Sequence, residues 1–252
     1  MEKIIQWLKQ FYQAMLNFLR IGNKVDDPEP MSFPVLKLLL FLSVANGIIL
    51  IASNLAALKI WNAWGIPVDA GIWLFPLSYA VGDLLVDIYG EKVSNLVAVH
   101  CSLFALIVAA VMYFAKVALP GFPGVDNSAF DIVQSATGRI FLASVAGFLI
   151  SQLTNNRIFA SMRCNDIQNE VSDEGDFHRR EIISSAIARI LDSLVFETLA
   201  FWGRVSPSDF ITQVLFAYGV GLALEFVLSL GVKHIAINLR WRLCYTDGKN
   251  EL

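Results

Sequence analysis

Tyr79, Asp83 and Asp87 recur every four residues in AGIWLFPLSYAVGDLLVDIYGEK, residues 70 to 92, and the two acids interrupt a run that is otherwise apolar. At that spacing the three share one face of a helix. A phenol and two carboxylates on one face can bind the donor edge of a ligand, or take up and release protons. A second polar face falls in IISSAIARILDSLVFETLAFWG, where Ser185, Arg189, Asp192 and Phe196 align, with Ser193 and Glu197 beside them. Arg189 and Asp192 are spaced to pair. Asn54 and Gln152 each follow a serine in an apolar segment and add amides that both donate and accept. A carboxylate at the centre of a membrane helix costs roughly 2.5 to 3.5 kcal/mol, while each Leu, Ile, Phe or Val returns only about 0.3 to 0.6. The nine such residues between Ile72 and Ile88 therefore recover roughly 3 to 5 kcal/mol, so Asp83 alone consumes most of the gain. Acids kept at that cost are candidates for function.

Other chemistries find no support. There is no GxxxxGK[ST] loop, no HExxH and no GxSxG. His100 stands alone, and His178 and His234 lie among charged residues, so no His-centred catalytic set forms and an enzyme is not expected. Cys101, Cys164 and Cys244 lie in unrelated segments without ligand spacing, so neither a disulfide framework nor a metal site is expected, and no cofactor.

The elements that must position these residues are membrane helices. The chain has 252 residues, of which 56% are hydrophobic and only 16% charged; its mean hydropathy is +0.58. A soluble domain carries about 25% charged residues. The net charge of -3 and the absence of a basic run argue against nucleic acid. Six apolar segments, 33 to 58, 70 to 89, 93 to 119, 136 to 159, 181 to 203 and 208 to 236, approach or exceed the roughly 20 residues a crossing needs. The runs are continuous rather than alternating, which predicts helices and an all-α membrane protein. Pro76 is expected to kink the second. Trp61, Trp64, Trp73 and Trp202 are expected at the membrane interfaces.

Basic residues set the orientation. Lys3, Lys9, Arg20 and Lys24 precede the first segment; Arg157, Arg163, Arg179 and Arg180 flank the fourth-to-fifth connection; Lys233, Arg240, Arg242 and Lys249 follow the sixth. The opposite connections offer Lys59, Lys116 and Arg204, with Arg139 just inside the fourth segment. Both termini are therefore expected in the cytoplasm. In residues 1 to 21, Ile4, Leu8, Phe11, Tyr12, Met15 and Leu19 recur at helical spacing, which predicts an amphipathic helix lying on the inner leaflet rather than a signal peptide. The expected organisation is thus 1–30 interfacial helix and linker, 31–240 a six-helix domain, and 241–252 a cytoplasmic tail.

The halves echo each other. SNLAALKIW, from Ser53, matches SQLTNNRIF, from Ser151, and DLLV at Asp83 is answered by DSLV at Asp192. Two copies of three spans each must be inverted, an arrangement recurrent in transporters that rock one repeat against the other around a central site.

FPLSYAVGDLLVDIYGEK, together with SNLAALK, GRIFLASVAGFLISQ and ISSAIARILDSLVFETLAFWG, resembles the queuosine precursor transporter family, also called the vitamin uptake transporter family, over roughly residues 35 to 236. The family pattern carries Glu where this chain has Asp87 and an Asp near Asn155 or Asn156. The resemblance implies a six-helix bacterial inner-membrane importer of a 7-deazaguanine, namely 7-cyano-7-deazaguanine, 7-aminomethyl-7-deazaguanine or queuine, for tRNA modification. The alternative is the substrate-binding membrane subunit of an ATPase-driven vitamin importer. Such a ring presents adjacent N–H donors that one carboxylate accepts together. The expected substrate-binding residues are Asn54, Phe75, Tyr79, Asp83, Asp87, Gln152, Arg189, Asp192 and Glu197. The expected partners are the base and the lipid bilayer, with protons as the candidate coupling ion and a homodimer as the candidate assembly.

Overall fold

The structure, a computed structural model, describes residues 33–168, 173–203 and 206–247. The interfacial helix and linker expected over 1–30 and the end of the tail lie outside the described residues. The described residues form six α-helices: α1 Phe33–Ala56, α2 Phe75–Tyr89, α3 Glu91–Ala118, α4 Ser128–Gln168, α5 Asp173–Phe201 and α6 Pro207–Asp247. The last of these carries helix into residues expected to form the tail.

The second apolar segment is not one helix. Its first residues, Ala70–Trp73, form a 3-10 turn, and α2 starts at Phe75. Pro76 sits in the first turn of α2, where its missing N–H costs nothing. It therefore opens the helix and makes no kink. Before the turn comes a feature absent from the all-α expectation, an antiparallel hairpin of β1 Ile60–Ala63 and β2 Ile66–Asp69, with Ala63 opposite Ile66. Trp64 and Gly65 both have positive φ, 53° and 93°. That is the two-residue hairpin turn whose twist suits antiparallel strands.

Among the described residues, four helices are long and apolar enough to cross a membrane: α1, α3, α4 over Ser128–Asp166 and α6 over Pro207–Ala236. The other two carry the acidic stripes. α2, at 15 residues, is only about 22 Å long against a hydrocarbon core of about 30 Å. Its position explains how it tolerates that composition. It packs against all five other helices, and ten of its fifteen residues are buried, Tyr79, Asp83 and Asp87 among them. Outward-facing Phe41, Val44 and Ile48 of α1 and Val111, Phe114 and Val117 of α3 present the apolar surface instead. Gly90, at φ 85°, lets the chain turn directly from α2 into α3; its N–H bonds the Val86 carbonyl, and its carbonyl accepts from Ser94.

α2 and α4 run parallel in register. Tyr79 donates to Ser151 at 2.5 Å and Asp83 accepts from Asn155 at 2.6 Å, each pair 72 residues apart. The apolar core lies around this pair of helices, with Leu84, Leu85 and Val86 against Phe141, Phe148 and Phe159.

Candidate functional site

The hairpin and the 3-10 turn close one end of the bundle over a small cavity. Asp69 ends β2 and accepts from Gly71 N–H at 2.9 Å, capping the turn. Ser53 of α1 donates to the Gly71 carbonyl. A Cβ on Gly71 would lie 2.6 Å from the Ser53 carbonyl oxygen, so this close approach requires glycine. Ala63, Val68 and Ile72 pack with Ala217 of α6 and hold the hairpin down.

The cavity has walls from α1 (Ser53, Asn54, Ala57), the hairpin and turn (Asp69, Gly71, Ile72), α2 (Phe75), α4 (Ser144), α5 (Arg189, Asp192, Ser193, Phe196, Glu197) and α6 (Ala217). It leaves about 40 Å³ for water centres, room for on the order of three waters. Anything larger requires its walls to part. Asn54 Nδ2 and Ser144 Oγ are buried without a partner. Glu197 accepts from Gln213 at 2.8 Å. Burial pushes the Asp69 carboxyl up to about 6, against the opposing pull of the Gly71 and Ile72 amides. A donor amide, three acids and two aromatic rings therefore surround one space.

Of the nine residues expected to bind, five meet here: Asn54, Phe75, Arg189, Asp192 and Glu197. The other four lie deeper. The Tyr79 ring sits edge-on to Phe75, with ring centres 5.6 Å apart, and under the Arg189 guanidinium at 5.2 Å. Asp83 follows about 6 Å further along α2 and Asp87 about 12 Å. Gln152 donates to Asn156 at 2.8 Å, and Asn156 donates to Asn95 at 2.7 Å. Asp87 lies at the far end, 3.9 Å from Arg163 and 4.0 Å from Arg180.

Arg189 does not bond to Asp192, the pairing its spacing allows. It donates to Glu225 of α6 through Nε, at 2.9 Å, and through Nη2. α6 lies across α5 at this height, and Gly221 leaves the space through which the guanidinium passes. Glu225 stands alone in GVGLALEFVLSL, and the cost argument that singled out Asp83 applies to it equally. Asp69 gave no comparable signal, because its place depends on the hairpin. Arg180, counted among the flanking cations, is 1% exposed and bonds to Asp166 at 2.8 Å. Of the four tryptophans expected at interfaces, Trp64, Trp73 and Trp202 are exposed, while Trp61 is half-buried against Trp73.

Residues 69–232 match the model of a family described as "Putative vitamin uptake transporter". The match begins at Asp69 and so takes in every wall of the cavity except the three residues of α1. No curated protein and no solved structure matches the chain.

Proposed function

The chain belongs to this vitamin uptake transporter family, and on that premise we propose that it is a bacterial inner-membrane importer of a 7-deazaguanine precursor of queuosine. The observation that carries the reading is the cavity, which brings Asn54, Asp192 and Glu197 together with Phe75 and Phe196. A guanine-type edge offers adjacent N–H donors, and a single carboxylate accepts both at once. Asp192 or Glu197 takes that edge, the free Nδ2 of Asn54 donates to the ring carbonyl, and the two phenylalanines cover the ring faces.

The same reading places all six helices across the membrane as two inverted repeats, with both termini in the cytoplasm. Arg157, exposed at the end bearing the basic α4–α5 connection, meets Glu91 at 3.3 Å and so brings the α2–α3 corner to the same side. Cysteines placed at Glu91 and Asp126, on either side of α3, should label from opposite faces of the membrane.

The decisive measurement is tRNA queuosine in cells that cannot make precursors, with and without this gene, each precursor supplied in turn. Gain with at least one precursor is expected; no gain with any overturns the assignment.

A further inference from the structure

Below the cavity, Asp83 is fully buried and stands outside the cavity walls. One of its oxygens accepts from Asn155; the other, Oδ2, has no partner. Its charged neighbours are acids from three helices: Glu181 of α5, Glu225 of α6 and Asp87 on α2 itself. The buried cations at this depth are engaged elsewhere, Arg189 with Glu225 and Arg180 with Asp166 and Asp87. From the remaining helices the neighbouring groups are neutral: Asn155 of α4 bonds Asp83, Gln152 of α4 lies against Gly82, Ser94 of α3 donates to the Gly82 carbonyl, and the buried polar residues of α1, Asn46, Ser53 and Asn54, carry no charge.

Asp83 Oδ2, Glu181 Oε2, Asn155 Oδ1 and Gln152 Oε1 are buried acceptors without a donor, whereas the unbonded donors at this depth, Nε and Nη2 of Arg180, belong to the guanidinium that faces Asp87 and Asp166. Two buried carboxylates without a cation, among surplus acceptors, are strongly unfavourable when ionised, and binding a proton relieves both faults by removing charge and adding a donor. No three His, Cys, Asp or Glu side chains converge closely enough to hold a metal ion among the described residues.

We propose that Asp83, with Glu181 beside it, is a proton-binding site separate from the substrate cavity, and that it couples import to proton entry. The proton forms an O–H bond on a carboxylate oxygen from the cavity side, and the same bond breaks on release toward the cytoplasm. A connection to the cavity is in place. Arg189 lines the cavity, lies over Tyr79 one turn above Asp83, and pairs with Glu225, itself a neighbour of Asp83. A ligand that draws on Arg189 changes the charge that Asp83 feels. The coupling rests on the transport reading above; the proton site does not.

The test uses the full chain in liposomes. Infrared difference spectra at neutral pH should show a carboxylic-acid carbonyl band that vanishes in Asp83→Asn and persists, shifted, in Asp83→Glu. Uptake of 7-aminomethyl-7-deazaguanine driven by a pH gradient should fall at least about tenfold in Asp83→Asn, while exchange of labelled for unlabelled base across the liposome is kept, since exchange needs no net proton movement. Absence of the band from the native protein overturns the proton site, and uptake driven by a sodium gradient but not by a pH gradient overturns the coupling. If the native protein moves no 7-deazaguanine yet shows the band and loses it in Asp83→Asn, the transport reading fails and the proton site stands.

Discussion

Arg189 of α5 occupies the volume that a side chain at position 221 of α6 would fill. A Cβ on Gly221 would lie 2.5 Å from Cζ and 2.9 Å from Nε of the guanidinium. The bond from Arg189 to Glu225 therefore depends on a residue with no side chain, on a helix that carries no other charge near it.

Gly221→Ala should accordingly displace Arg189 from Glu225 and from its position over Tyr79. Overpacking of this kind costs about 1 to 3 kcal/mol. A lower melting temperature in detergent and reduced uptake at matched membrane abundance are expected. Gly219→Ala, two residues away with nothing within 4 Å of its Cβ, serves as control and should do neither. Equal behaviour of the two variants would remove the guanidinium passage from the account.

Within the cavity, Asn54→Ala and Glu197→Gln separate binding from folding. A hydrogen bond to a charged group contributes about 1.5 to 3 kcal/mol and one between neutral groups about 0.5 to 1.5, which correspond to roughly ten- to hundredfold and two- to tenfold in affinity. Glu197→Gln should raise the KM for uptake by the first order and Asn54→Ala by the second. Glu197→Gln should leave the melting temperature nearly unchanged, because an amide still accepts from Gln213. A fall in stability that matches the fall in uptake would assign Glu197 to packing instead.

The sequence made the lipid-facing part of this fold readable and the protein-facing part less so. α1 and α3 were legible because their exposed faces are continuous runs of Phe, Val, Ile and Leu, and their observed ends lie within two residues of expectation. The stripe of Tyr79, Asp83 and Asp87 was legible as well, since polar groups at a spacing of four must face protein rather than lipid. The hairpin was not, because four-residue strands are too short for periodicity to register and the positive φ of Trp64 has no signature in the residue type. The enclosure of Arg180 was not legible for a related reason. A basic residue beside an apolar segment bears on orientation, and only the packing of Asp166 and Asp87 against it shows that it is buried.

Asp69 predicts a pH dependence of stability. Its carboxyl is raised from 3.8 to about 6 in the fold, mainly by burial, so the folded state favours the neutral acid. The stabilisation this gives is complete below pH 3.8, declines as the pH rises toward 6, and is absent above it. A shift of about two units corresponds to roughly 3 kcal/mol across that window. Asp69→Asn keeps an acceptor for Gly71 N–H and removes the titration. Its melting temperature relative to the native protein should therefore rise between pH 4 and pH 6 and level off above. A difference that stays flat over this range would place Asp69 in solvent.

Arg180 tests whether the far end of the α2 stripe is structural. It is buried, bonds to Asp166 at 2.8 Å, stands 4.0 Å from Asp87, and lies over the Phe159 ring at 5.5 Å. Arg179 also reaches Asp166, at 2.5 Å, and Arg163 stands 3.9 Å from the Asp87 carboxylate, so both acids keep some compensation without it. Arg180→Leu should still be costly, by about 3 to 5 kcal/mol, because removing one member of a buried ion pair leaves a desolvated charge. The double variant Arg180→Leu with Asp87→Asn should recover a good part of that loss, since the coupling between adjacent charges makes the two changes non-additive. Folded yield and melting temperature read the recovery. If the double variant folds well and still takes up substrate, Asp87 serves the bundle alone. If it folds well and does not transport, the Arg180–Asp87 pair contributes to transport itself and not to folding alone.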